Sequence, residues 1–268
     1  MWEVAMRAWI GLAVISLSPL WSTRGWSADL RVMSGGAPQE LLAALKPEFE
    51  NRTGHKAIFS FAVITTLEQR LASGERTDVV LMPVPVIDKL VHAGSLRAEN
   101  RATLGVLGIS VIVRQGAAKP DISTPDRLRQ ALLKARSVVH ATPTATPSGA
   151  HMARVLEQLG IAEQMQSKVI HRPALAGGAD LVAKGEAELG LYPTSEVVHV
   201  PGVAIVGPLP PALQLRIVYG AAIARDSAAP EAAAVFIDFL SAPENRKAWL
   251  QAGFEPPGNR RTDQSLAF

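Results

Sequence analysis

From Leu30 onward the chain alternates short apolar runs with longer stretches in which apolar side chains recur every three or four positions. Leu30 to Met33 predicts a strand, and Leu41, Leu42, Leu45 and Phe49 then fall on one face of a helix opened by Pro38, Gln39 and Glu40. Pro47 inside that helix predicts a kink or an early end, because proline lacks the amide hydrogen and crowds the preceding turn. The alternation continues with strands over 57–61 and 78–82 and helices over 66–73 and 86–93. A longer strand over 104–113 follows, with turn signals at Gly116 and Pro120 and a helix start at Thr124, Pro125 and Asp126. Strands over 137–141, 168–170 and 189–192 then interleave with helices over 147–159 and 178–184. A second long strand, over 215–224, precedes closing helices over 230–241 and 243–251.

Strands joined by helical crossovers of this length predict an α/β fold with mainly parallel sheets covered on both faces. The two long strands bracket the second α/β unit, so the chain is expected to pass twice between two lobes. The layout is lobe one at 28–107 plus 221–268 and lobe two at 108–220.

The first residues change the picture of where this happens. Arg7 precedes an apolar run from Ala8 to Leu20, and Gly25 and Ser27 flank Trp26, the pattern of a signal peptide over 1–27 that is cleaved on export. The run is shorter than a membrane span and contains Pro19. The expected location is therefore the periplasm. With no cysteine, disulfide scaffolds and thiol chemistry are excluded. The net charge of +3 comes from lysines and arginines scattered singly, a solvated basic surface and no nucleic-acid site. The six histidines, at 55, 92, 140, 151, 171 and 199, show no paired ligand spacing, so no metal and no other cofactor is expected.

Ligands of open α/β sheets collect where strands lead into helix N-termini. Ser34, Gly35, Gly36 and Ala37 form the first such loop, whose free amides and helix dipole favour an anion. An ordinary tight turn would read the same. Thr65 and Thr66 offer hydroxyls at the second helix start, where a simple cap is the commoner role. The third loop, with Thr144, Thr146, Ser148 and Gly149, concentrates hydroxyls beside amides. Gly178, Tyr192 and Thr194 complete the set from the fourth. Ser148 lies in no nucleophile elbow, and neither a dinucleotide fingerprint nor a phosphate loop is present. His140 and His151 flank the hydroxyl-rich loop and are the candidate general bases if the cleft catalyses a reaction.

Six segments, among them VMSGGAPQELLAAL, RLASGERTDVVLM, TATPSGAHMARVLEQLGI and LVAKGEAELGLYPTSEV, make the chain resemble the type 2 periplasmic binding proteins of the molybdate-binding-like branch. The resemblance implies two α/β lobes joined by two crossover strands, a small anionic ligand between them, delivery to an ABC permease, and a monomer. Tyr192 matches that family's ligand tyrosine. Ala37 stands where its first-loop serine is expected, with Ser34 three residues earlier, and Ala62, Val63, Ile64 and Thr65 replace its serine-rich second loop. TDVVLM, VIDKLVHAGSL and VRQGAAKPDIS also resemble the periplasmic aconitate isomerases, built on the same scaffold, which implies a polycarboxylate ligand or proton transfer on one. Arg172 and Arg216 would then face carboxylates, for which a planar guanidinium is suited.

Overall fold

The computed structural model describes residues 27–144, 146–173 and 177–257. The expected signal peptide lies almost wholly outside them. Among the described residues no helix is long and apolar enough to cross a membrane.

Two sheets organise the chain. The first has six strands, drawn from both ends of the sequence: β1 (Asp29–Ser34), β2 (Lys56–Phe61), β3 (Val79–Pro83), β4 (Ala102–Leu107), β10 (Ile217–Ile223) and β11 (Phe254–Glu255), in the order β11-β4-β10-β3-β1-β2. The second has five, from the middle: β5 (Ile109–Arg114), β6 (Val138–Ala141), β7 (Val169–Arg172), β8 (Leu189–Pro193) and β9 (Val203–Pro208), in the order β7-β6-β8-β5-β9. Pairing is parallel where helical crossovers join the strands, at β1 with β2 and β3 and at β6 with β7 and β8. It is antiparallel at β4, β5, β9, β10 and β11, because strands on the passages between sheets return in the opposite sense.

Each sheet is covered on both faces. In the first, Leu30 and Val32 face α1 (Gln39–Thr53) and α9 (Pro230–Ser241), while Met33, Val80 and Met82 face α2 (Ile64–Ala72) and α3 (Val84–His92). Phe49 of α1 is fully buried edge-on to Phe236 of α9, with ring centroids 4.8 Å apart. In the second, Leu189 and Leu191 face α4 (Pro125–Lys134) and α5 (Pro147–Gln158), and Val139 and Tyr192 face α7 (Gly178–Lys184). Short α6 (Ala162–Met165), α8 (Thr194–Val197) and α10 (Arg246–Gln251) complete the set.

Two sequence expectations are corrected. Pro47 does not end α1, which runs on to Thr53. Proline removes only the bond to the carbonyl four residues back, that of Ala43, and Ala43 sits on the exposed face, where water takes the acceptor. The long strand expected over 104–113 is two strands, broken at Gly108, where the chain passes from one sheet to the other. The return passage runs from β9 through a 3-10 turn at Pro211–Leu213 into β10.

Gln214 fastens the two passages together. Its Oε1 accepts from the Ile109 amide at 2.8 Å and its Nε2 donates to the Ile109 carbonyl at 3.0 Å. His151 Nε2 meets the Leu213 carbonyl at 2.8 Å, and Thr194 Oγ1 donates to the Gly108 carbonyl at 3.2 Å.

Candidate functional site

The first loop leaves β1 at Ser34. Ser34 is fully buried and donates to the Gly35 carbonyl at 2.9 Å, so its hydroxyl hydrogen is already engaged. The Gly35 amide is spent on the Leu81 carbonyl at 3.0 Å. The amides of Gly36 and Ala37 have no partner among the described residues, and no side chain caps α1. A Cβ on Gly35 would lie 3.1 Å from the Tyr219 hydroxyl, which places that tyrosine of β10 against the loop. Thr65 is exposed and Thr66 half-buried in the first turn of α2, and neither caps it.

In the third loop the expected hydroxyls are largely engaged. Thr146 caps α5 by accepting from the Gly149 amide at 2.9 Å, and it lies 3.0 Å from Ser148 Oγ. Thr144 is exposed and Ser148 buried. Thr194 is likewise bound, to Gly108 and to Ser110 Oγ at 2.8 Å.

The two histidines expected as bases each meet a backbone carbonyl. His140 is 1% exposed and pairs in register with Leu191, so its ring lies on the face of the sheet opposite Tyr192. Its Nδ1 meets the Ala141 carbonyl at 2.8 Å, and its ring stands edge-on to His171 at 5.0 Å. His151 is held by the Leu213 carbonyl.

Burial holds the His140 imidazole below its ordinary pKa, with His171 adding to that and the Ala141 bond opposing it. The unfolded chain therefore takes up this proton before the folded one does. Stability from His140 is complete above the ordinary imidazole value, near 6.5, and is lost as the pH falls through it. Denaturant unfolding at about pH 7.5 and about pH 5.5 is expected to show this acid loss, and His140→Asn to diminish it.

The fourth loop carries the densest chemistry. The Tyr192 ring is 6% exposed and lies across Gly178, with its hydroxyl in the volume a Cβ there would fill. Four buried polar side-chain atoms in this region lack a hydrogen-bond partner among the described residues: Tyr192 Oη, Arg172 Nε, Asp180 Oδ1 and Ser195 Oγ. The fifth such atom is His140 Nε2. Buried polar groups normally have partners, so a cluster without them among the described residues marks a candidate binding site. Burial lifts the Tyr192 hydroxyl well above its ordinary range, the charges of Glu196 and Asp180 adding to the rise and that of Arg172 opposing it. The hydroxyl therefore stays a neutral donor at every physiological pH. Lys184, bonded to Asp180 at 3.1 Å, holds the Asp180 carboxyl below its usual range.

Sequence reading missed Glu196. It lies in α8, four residues beyond Tyr192, with its side chain in contact with solvent, yet the protein crowded around it pushes its carboxyl up to about 7. Its charge acts on Tyr192 in one half of the molecule and on Tyr219 in the other. The Tyr219 hydroxyl is raised first by burial and then by Glu196. The start of α8 also touches the other half directly, since a Cβ on Gly253 would lie 2.9 Å from the Ser195 amide nitrogen. Arg216 pairs with Glu255, its Nη1 3.3 Å from Oε2.

Two recessed spaces lie elsewhere. One, of about 50 Å³, is walled by Leu240, Trp249 and Phe254, and another, of about 400 Å³, lies between Lys119–Ser123 and Val206–Pro211. Neither holds an orphaned buried polar atom, so chemistry and not volume marks the site. Among the described residues no group of three His, Asp or Glu side chains is placed to hold a metal ion.

Comparison with known proteins bears on the whole arrangement. The family model of bacterial extracellular solute-binding proteins matches residues 30–255. An aconitate isomerase from a Pseudomonas species is 34% identical over 253 residues, covering 92% of this chain and 95% of that protein. The molybdate-binding protein ModA of Escherichia coli is 21% identical over 255 residues, covering 92% and 98%. The solved periplasmic molybdate-binding protein of Azotobacter vinelandii superposes with a TM-score of 0.69 at 20% identity, over 86% of this chain and all of that one. At that identity the likeness speaks for the two-lobed fold alone.

Proposed function

Because this chain belongs to the family of bacterial extracellular solute-binding proteins, we propose that it is a periplasmic receptor. It takes a small carboxylate anion between two hinged lobes, 28–107 with 221–268 and 108–220, and offers it to an inner-membrane ABC permease. The observation that carries this reading is the neutral, buried Tyr192 hydroxyl, unpartnered among the described residues, near the Arg172 guanidinium. One supplies a hydrogen-bond donor and the other a planar cation, the pair that a carboxylate completes. The free amides of Gly36 and Ala37 at the start of α1 add a second pole for negative charge. A tetrahedral metal oxyanion is less well served: the Ser34 hydroxyl hydrogen is already engaged, and the second loop offers Ala62, Val63 and Ile64.

A thermal-shift panel of small di- and tricarboxylates, sulfate and molybdate tests the reading. Ligand at about 100 times its dissociation constant adds about 2.7 kcal/mol, so carboxylates are expected to raise the melting temperature clearly. If no anion moved it, the receptor would be lost. Arg172→Lys keeps the charge and removes the fork, and a carboxylate is expected to bind about tenfold more weakly, read by calorimetry.

A second reading is favoured by the aconitate isomerase relative and by the Glu196 carboxyl near neutral pKa. Here the cleft moves a proton within an unsaturated tricarboxylate. A base takes hydrogen from the methylene beside a carboxylate and a proton returns at the far end of the allylic system, with no net change in atoms. Glu196, poised to gain and release a proton near pH 7, suits that exchange better than His140 or His151. Incubation with trans-aconitate, with chromatography for the cis isomer, decides it: no product discards the enzyme and leaves the receptor standing.

A further inference from the structure

We propose that Glu196 tunes the specificity of the crevice, weakening its hold on anions that bring no hydrogen-bond donor and favouring those that bring one to meet its carboxylate. This rests on the anion-receptor reading. Three observations converge on it.

The first is position. Thr194 ties the start of α8 to Gly108, where the chain passes between sheets, and Gly253 packs on the Ser195 backbone from the other half. Glu196 thus stands at the junction of the two halves. The second is reach: its charge acts on both tyrosine hydroxyls, Tyr192 over Gly178 and Tyr219 against Gly35, so a guest between those two loops lies in its field. The third is sign. An ionised carboxylate beside an anion raises the energy of the complex unless a hydrogen lies between them, whereas a hydroxyl or a still-protonated carboxyl on the guest supplies that hydrogen.

Glu196 shares its surroundings with two tyrosines, an arginine and an aspartate–lysine pair, and His199 follows it three residues along the chain. Tyr192 and Tyr219 are both held neutral, and the bond from Lys184 holds the Asp180 carboxyl below its usual range. Strands β5 and β9, packed against α8, bring no titratable side chain except Arg114 at the last residue of β5. The protein crowded around Glu196 pushes its carboxyl up to about 7 although the side chain still meets solvent, so its charge falls away as the solution becomes mildly acidic.

Sulfate is the informative probe, because it gains no proton between about pH 6 and about pH 8 and any change in its binding belongs to the protein. Calorimetry with sulfate and with citrate, a hydroxyl-bearing tricarboxylate, is run on the wild-type protein and on Glu196→Gln at both pH values. Wild-type protein is expected to bind sulfate about tenfold more tightly at the lower pH, with proton uptake seen as a dependence of the heat on the buffer's ionisation enthalpy. Glu196→Gln is expected to bind sulfate tightly and equally at both, to take up no proton, and to lose about tenfold of the preference for citrate. The Gln side chain has the same shape and reaches solvent, and an unchanged melting temperature confirms its fold. If Glu196→Gln retained the wild-type pH dependence and selectivity, the role of Glu196 would be overturned while the receptor stood. If wild-type protein bound neither anion at either pH, the receptor reading itself would fall.

Discussion

Gly178→Ala is expected to weaken anion binding by about 100-fold or more while leaving the fold intact. The new methyl group would occupy the space of the Tyr192 hydroxyl. What stands there is the far end of a side chain and not backbone, so the ring moves and the helix does not. The fold loses at most about 1–2 kcal/mol, the lower part of the usual range for overpacking. Binding loses more, because the displaced hydroxyl no longer meets the guest and the ring enters space the guest needs. Tyr192→Phe separates the two causes. Without its buried hydroxyl, unpartnered among the described residues, the empty protein should gain about 1 kcal/mol, while a carboxylate should bind about tenfold or more weakly. Denaturant melts and calorimetry on both variants decide the matter. Full binding by Tyr192→Phe would show that the hydroxyl is not a ligand donor.

Gly149→Ala is expected to have the largest effect on stability, about 3 kcal/mol or more. A Cβ there would lie 2.6 Å from the Ala141 carbonyl oxygen and against the backbone of Thr142. Backbone cannot swing aside as a side chain does, so α5 must lift away from the end of β6. That movement breaks the Thr146 cap, whose donor is the Gly149 amide itself, and shifts His151 from the Leu213 carbonyl. Losing a cap alone costs about 1 kcal/mol. For a protein of this size the melting temperature should fall by about 10 °C, measured by calorimetry. A fall of less than about 3 °C would mean that α5 is seated more loosely than its contacts imply.

How much of this the sequence discloses depends on how local the cause is. Helix faces are local: Leu41, Leu42, Leu45 and Phe49 predict the buried side of α1, and all four are buried. Strand β9 escaped because VAIVG, between Pro201 and Pro208, lacks the polar alternation that marks a half-covered strand. The break at Gly108 escaped too, since a continuous apolar run does not show where its pairing changes from one sheet to another.

The site divides along the same line. Loop positions could be read, because strand-to-helix junctions follow from element order. Hydroxyl roles could not: Ser34 donates to the carbonyl of the adjacent Gly35, Thr146 accepts from the Gly149 amide three residues on, and Thr194 is bound by Gly108, a neighbour that only the fold supplies. Glu196 was hidden for a related reason. A glutamate at an exposed position of a four-residue helix reads as solvated, and its importance comes from Tyr219, which folding brings near.

The paired bonds from Gln214 to Ile109 have a practical corollary. A chain clamped across both of its passages at one peptide unit acts as an axle, so the two halves should swivel and not slide. Dyes attached far from that axle would sweep the longest arcs. The native sequence contains no thiol, so a pair of engineered cysteines on the outer helices α1 and α4 would carry such labels alone. Their changing separation would turn each capture of a guest into an optical signal.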